Sequence, residues 1–408
     1  MNTKTILATC YAVNPYKGSE DAMGWNFTYQ IARYNKVIAI TRENNKPAIE
    51  KFMAENPDSV YQNITFLYFD LPYWMRFWKK GSRGAMLYYY MWQRGIIAFI
   101  KKQELQFDIT HNVNFHNDWT PSFLYKLEKP MVWGPVGHHP IIPNQYLKKY
   151  AAHYFIKDRA TWFIKKMFWN GSFSLKKTVQ KASHIWCMNS GVPAVLKIKT
   201  NDFSISPSIA SEDFNTKKII PKETFTIISV GRFVPLKGFD LTLLSFIKFI
   251  NTIPFNERKS CQLKLIGTGP EKAFYQKIIK ENQAEDCVEI IEWIDRLELM
   301  KMYETSSVFL FPSHEGAGMV VAEALSFGLP VICLDNEGPG EFINADCGFT
   351  IPHSDYTNTI CELEKAIQTL YYDKELLLKM SVAARKQYEE KFTWNSRGEK
   401  LKNIYNQL

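Results

Sequence analysis

The 408-residue chain has no Cys-x-x-Cys pair, no Asp-x-Asp triplet, no internal repeat and no low-complexity tract. Nor does any apolar run approach the ~20 residues that a membrane-spanning helix needs. Its seven cysteines, Cys10, Cys187, Cys261, Cys287, Cys333, Cys347 and Cys361, are odd in number and widely scattered. That excludes a zinc or redox dithiol motif and leads to the expectation of a reducing, cytoplasmic compartment. The apolar run 6–13 lacks the length and small-residue cleavage site of a secretory signal, so it reads as a buried first strand. A nicotinamide dehydrogenase needs a Gly-x-Gly-x-x-Gly turn; Gly267-Thr268-Gly269 begins one, but Lys272 breaks it. No RNA- or DNA-binding motif is recognisable, so no nucleic-acid partner is expected.

What is present is the composition of a folded chain, with 46% hydrophobic and 22% charged residues. Its length predicts two domains of roughly 200 residues each. The net charge of +9 is unevenly spread. Residues 1–200 hold 27 Lys+Arg against 12 Asp+Glu, and residues 201–408 hold 23 against 29, so the halves carry +15 and −6. A basic first half attracts polyanions such as an anionic membrane or a phosphate-bearing substrate. Strand-like runs at 6–13, 37–41, 64–71, 107–113, 131–136 and 184–188 alternate with amphipathic stretches. The pattern repeats at 225–230, 263–266, 288–291, 308–311 and 330–334. Such alternation predicts an α/β chain of two doubly wound domains. The expected division is 1–200, a polar linker at 201–222 containing Pro207 and Pro221, and a second domain at 223–391.

The strongest chemical signal runs from Ser313 to Leu325, where the apolar run 308–311 leads into Glu315-Gly316-Ala317-Gly318 and then a helix starting near Met319. Small residues there let the open N–H groups of a helix start, from Gly316 through Val320, approach an anionic or hydroxyl-bearing ligand. Glu315 and Glu323 flank that start, one placed to reach a sugar ring and the other to accept hydrogen bonds from a ribose. A second loop, Gly231-Arg232-Phe233-Val234-Pro235-Leu236-Lys237-Gly238, also follows an apolar strand. Ligands of open α/β sheets sit beyond the carboxyl ends of the strands, where Arg232 and Lys237 supply two cations for a diphosphate.

In this order and spacing, Gly231-Arg232…Lys237-Gly238, Leu265-Ile266-Gly267-Thr268-Gly269-Pro270-Glu271 and Glu315…Glu323 closely resemble the "group 1" retaining glycosyltransferases, carbohydrate-active family four. Gly18-Ser19-Glu20…Gly24-Trp25 is similar to the family's first glycine loop, and Trp133-Gly134-Pro135-Val136-Gly137 to a segment of one subgroup. The resemblance implies a GT-B fold: two Rossmann-like domains facing across a cleft, with a C-terminal helix, 392–408, returning to the first. It implies a nucleoside diphosphate sugar as donor substrate and a glycan or lipid-linked glycan as acceptor, in polysaccharide or glycolipid assembly. Arg232 and Lys237 would neutralise the diphosphate, Glu315 would contact the transferred sugar, Glu323 would hold the ribose, and Gly18 would admit the pyrophosphate. Because the Asp-x-Asp metal device of the other large glycosyltransferase architecture is missing, neither a catalytic metal nor a cofactor is expected. The family's first-domain histidine corresponds by position to His138, with His139, His111 and His116 as the other candidates. A catalytically silent nucleotide-sugar binder is the alternative, against which the intact set Arg232, Lys237, Glu315 and Glu323 argues.

Residues 73–102 and 148–181 interleave aromatic side chains with lysine and arginine. That pattern suits contact with an anionic membrane surface, and it equally suits an aromatic core with solvated lysines outside.

Overall fold

Parallel strands covered on both faces are near-continuous apolar runs, and the runs predicted above become such strands. The computed structural model describes residues 3–408 except Ser82, His116, Thr200, Asn201, 216–218, Pro221 and Glu223. The candidate His116 therefore lies outside the described residues.

The first sheet comprises β1 (Thr5–Thr9), β2 (Lys36–Thr41), β3 (Ile64–Tyr68), β4 (Ile109–Asn112), β5 (Met131–Val136), β6 (His184–Cys187) and β7 (Phe203–Ile205). Their order is β3-β2-β1-β4-β5-β6-β7, and the pairings are parallel. The second sheet comprises β8 (Phe225–Val230), β9 (Cys261–Ile266), β10 (Val288–Ile291), β11 (Val308–Phe311), β12 (Val331–Asp335) and β13 (Gly348–Pro352). Its order is β10-β9-β8-β11-β12-β13, again parallel. In both sheets the chain starts in the middle, winds outward one way, then returns to wind outward the other way, which makes each a doubly wound Rossmann-like unit.

Alternate residues of the central strands supply two cores in the second unit. Ile227, Leu263, Leu265 and Leu310 pack on one face of the sheet. Ile228, Phe309, Phe311 and Cys333 pack on the other. Each such side chain, wholly removed from water, stabilises the fold by about 1.5–3 kcal/mol before entropy is counted.

The chain divides into two compact units, one of Met1–His138, Phe163–Ser208 and Trp394–Leu408, the other of His139–Trp162 and Ile209–Thr393. Two features differ from the expected bounds. The stretch 201–222 is not all linker, since Phe203–Ile205 pairs with β6 as an edge strand. Three residues are too few for an alternating pattern to register in the sequence. Likewise His139–Trp162, expected in the first domain, belongs to the second unit, because Ile142, Tyr146, Leu147 and Tyr150 are buried in that unit's core. The edge strand β13 was also not anticipated; it opens on Gly348 and ends on Pro352, two residues that weaken a strand signal. The last helix, Trp394–Asn406, packs in the first unit against the helix Ser19–Ala32.

Candidate active site

In the second unit the carboxyl ends of β8 and β11, neighbours in the sheet, release the two loops that carry the predicted cations and carboxylates. The first loop holds Lys237 in a short turn, Pro235–Lys237, followed by Gly238 in the left-handed region (φ 66°). The second runs from Pro312 to Gly318 and enters the helix Met319–Ser326. The two are stitched together by main chain and hydroxyl. His314 N–H donates to the Leu236 carbonyl at 2.9 Å, and Ser313 Oγ donates to the same carbonyl at 3.2 Å. The structure thus brings Lys237 and Glu315 into contact, with Lys237 Nζ 2.6 Å from Glu315 Oε2. Beneath them the Phe311 ring lies 5.1 Å from the ammonium, a cation–π arrangement. Arg232 is exposed on the same loop as Lys237.

Glycines let these loops approach. Gly267, at the end of β9, has φ 146°, and a Cβ there would fall 1.9 Å from the Gly231 carbonyl oxygen. Gly316 and Gly318 are buried, whereas Ala317, Met319 and Val320 are half-buried. As first residues of the helix, Met319 and Val320 present amides that no turn of the helix can bond. Gly316 N–H already has an acceptor, His139 Nδ1, at 3.1 Å.

Glu323 lies inside the helix and is 6% exposed. Its partner is Arg296, 3.2 Å from Oε1, at the start of the helix that follows β10. Burial raises the Glu323 carboxyl above its ordinary pKa, and Arg296 opposes the shift. Glu315 and Glu323 therefore have separate cationic partners, from two different segments of the second unit. Sequence reading missed Arg296; the pair Asp295-Arg296 at a strand end was the available signal.

The candidate histidines have different surroundings. His138, in the first unit, is buried, with Nδ1 2.7 Å from Asp118 Oδ2. Asn189 brackets its main chain, accepting the His138 N–H at 3.3 Å and donating to its carbonyl at 2.9 Å. A contact with a carboxylate oxygen places a ring proton on Nδ1. Asp118 stands 20 residues before His138 and gave no signal in the sequence. His111 bonds the Gly134 carbonyl and the Tyr405 hydroxyl, each at 2.6 Å, inside the first unit's core. His139 belongs to the second unit and meets the Glu315 loop there. Gly18 begins the helix Ser19–Ala32, and an added Cβ would meet nothing within 4 Å.

His314, adjacent to Glu315, is buried, and its Nδ1 lies 3.3 Å from His353 Nε2. Burial, with His353 as the second cause, pushes its imidazole down to about 3. An unfolded histidine takes up a proton near pH ~6.5, but the folded one does not. This contribution to stability is therefore complete above ~6.5 and is lost progressively toward pH 3, by up to about 1.4 kcal/mol per pH unit. Unfolding free energies measured at pH 7, 6 and 5 are expected to fall less steeply in His314→Asn than in the parent.

Residues 211–387 match the family model of the group 1 glycosyl transferases. This stretch is a group 1 glycosyl transferase domain. It contains the loops of Arg232, Lys237, Glu315 and Glu323 described above. An uncharacterized glycosyltransferase of Haemophilus influenzae is 30% identical over 197 residues, 48% of this chain and 52% of that protein. The GDP-mannose-dependent monoacylated alpha-(1-6)-phosphatidylinositol monomannoside mannosyltransferase of Corynebacterium glutamicum is 28% identical over 200 residues, 46% of this chain and 49% of that one. The matches to these curated relatives thus span about half of their length. A glycosyltransferase from Rickettsia africae has a similar structure, with a TM-score of 0.65 at 15% identity, covering 100% of this chain and 99% of that one. The likeness is one of fold: the group 1 domain is the second Rossmann-like unit of a GT-B chain.

Proposed function

We propose that this protein is a retaining glycosyltransferase that moves a sugar from a nucleoside diphosphate sugar to a glycan or lipid-linked glycan, in cell-surface polysaccharide or glycolipid assembly. The observation that supports it best is the Lys237–Glu315 contact at the ends of two adjacent strands of a group 1 domain. Cleavage of the anomeric C–O bond leaves positive charge on the sugar and negative charge on the diphosphate. Arg232 and Lys237 answer the negative charge, and Glu315 faces the sugar. In this reading the acceptor oxygen bonds to the anomeric carbon on the face the diphosphate leaves, and the acceptor's proton passes to the departing phosphate oxygen. Glu323 holds the ribose, and the amides from Gly316 to Val320 face sugar hydroxyls or phosphate. His138 and Gly18 are proposed to serve the same reaction from the first unit. No resident metal is proposed, and turnover is expected to persist in excess EDTA.

The test is a thermal-shift and slow-hydrolysis screen against UDP-, GDP- and ADP-sugars. One nucleotide is expected to stabilise the protein, and Glu323→Gln to weaken its binding about tenfold, consistent with loss of a hydrogen bond to a charged group. Absence of any response in the parent chain would discard the reading.

The protein is further proposed to act at the cytoplasmic face of an anionic membrane. In the first unit Tyr73, Trp74, Phe77 and Leu87 are 58–74% exposed, among Arg76, Lys79, Lys80 and Arg83. Burial lowers the Lys79 pKa, Arg42 and Arg76 add to the shift, and Asp70 opposes it. Exposed aromatics with flanking cations fit an interface of headgroup and acyl chain. Sedimentation with phosphatidylglycerol vesicles is expected to be lost in Trp74→Ser/Phe77→Ser, and equal sedimentation of the variant would remove this surface from consideration.

A further inference from the structure

The boundary between the two units falls on the peptide between His138 and His139. The two adjacent imidazoles have opposite roles at Nδ1. That of His138 faces the Asp118 carboxylate at 2.7 Å, and that of His139 accepts the Gly316 N–H at 3.1 Å. A main-chain donor facing His139 Nδ1 places the ring's own proton on Nε2.

His139 opens a strap, His139–Trp162, that the second unit holds firmly. Tyr146 OH donates to the Ser354 carbonyl at 3.0 Å and lies 2.8 Å from Thr359 Oγ1. Gln145 Nε2 donates to the same Ser354 carbonyl at 2.9 Å, and Tyr150 OH lies 3.2 Å from Tyr275 OH. The strap touches the Glu315 loop twice, at Gly316 through His139 and at His314 through the Tyr146 ring, whose centroid is 4.8 Å from the imidazole's.

The bond to Gly316 matters because of where it falls. The peptide joining Glu315 to Gly316 has a glycine on one side, so it resists rotation less than one flanked by two side chains. Its carbonyl packs against Gly338, where a Cβ would fall 1.9 Å from the oxygen. Its N–H is held by His139. With both ends of the peptide fixed, the Glu315 backbone is fixed, and with it the carboxylate that meets Lys237.

We infer that His139 is a positioning residue of the second unit's site. It latches the Glu315–Gly316 peptide so that the Glu315 carboxylate and the following amides keep one orientation. The inference rests on the donor-site reading above, and it assigns to a residue of the strap the work of shaping a loop some 177 residues later.

The experiment uses the full chain labelled with [15N]glycine, which gives 20 glycine amides, Gly316 being assigned by its absence in Gly316→Ala. Asparagine places Oδ1 where Nδ1 stands in histidine, whereas glutamine reaches only the Nε2 position. Amide exchange at Gly316 is expected to quicken about tenfold in His139→Ala and His139→Gln and to stay at the parental rate in His139→Asn, consistent with loss of one neutral hydrogen bond. Donor hydrolysis is expected to fall by a similar factor in the first two and to be rescued in His139→Asn, with unfolding temperatures confirming intact folds. Unchanged exchange in His139→Ala, or faster exchange with unchanged hydrolysis, overturns the latch alone. A parental chain that binds no nucleotide sugar overturns the donor-site reading, and the positioning role falls with it.

Discussion

Lys237→Ala is expected to lower donor turnover at least about 100-fold, and Glu315→Ala by a comparable factor, the range seen when one preorganised electrostatic contact is removed from a transition state. The two side chains are only 16% and 17% exposed and meet at 2.6 Å. Loss of either leaves its partner's charge poorly hydrated and free to swing out of place. Lys237→Met separates charge from packing, because it keeps the stem over Phe311 but removes the ammonium. If the charge matters, Lys237→Met fails as badly as Lys237→Ala; if packing dominates, it is largely active. The double variant should cost much less than the two single losses combined, since each single change already breaks the same contact. Steady-state hydrolysis of the preferred nucleotide sugar reads all four. A loss below threefold in both single variants would mean that the pair is structural.

Gly267→Ala should be the most damaging single methyl group in the second unit. Its Cβ would lie 1.9 Å from the Gly231 oxygen and 2.9 Å from the Gly231 carbon, at a φ of 146° that side chains avoid. Both obstacles are backbone, so neither can step aside without moving the Arg232–Lys237 loop. Gly238→Ala meets the same difficulty at φ 66°, 2.1 Å from the Pro312 oxygen. A stability loss of at least about 3 kcal/mol is expected for each, from steric strain in an over-determined turn. For a unit of this size that is a fall of roughly 6–12 °C in Tm. Gly18→Ala is the contrast, since an added Cβ there meets nothing. It should leave Tm within about 1 °C, as surface changes generally do. If Gly18 admits a pyrophosphate, the same substitution still slows donor turnover, which differential scanning calorimetry alongside a hydrolysis assay will separate.

Much of this protein was legible before any coordinate. Strands such as Phe225–Val230 and Val308–Phe311 are buried along their whole length and so read as unbroken apolar runs. Glu315, Arg232 and Lys237 stand out because the glycines beside them mark turns that follow strands, and Glu323 by standing eight residues after Glu315. The two edge strands Phe203–Ile205 and Gly348–Pro352 were not legible: one is three residues long, the other bounded by Gly and Pro. Nor was the allegiance of His139–Trp162, because a segment's own composition does not say which core will receive Tyr146 and Tyr150.

Periodicity and glycine placement are local properties, so the class of fold and the ends of most central strands could be read from the chain, and the candidate residues of the site could be named. Which side chains meet across long stretches of chain is visible in the fold alone. Lys237 pairs with Glu315 across 78 residues, Arg296 with Glu323, and His139 with Gly316 across 177. The first of those pairings depends on strand order, which sets β8 beside β11, and no local pattern encodes the order in which strands are laid down.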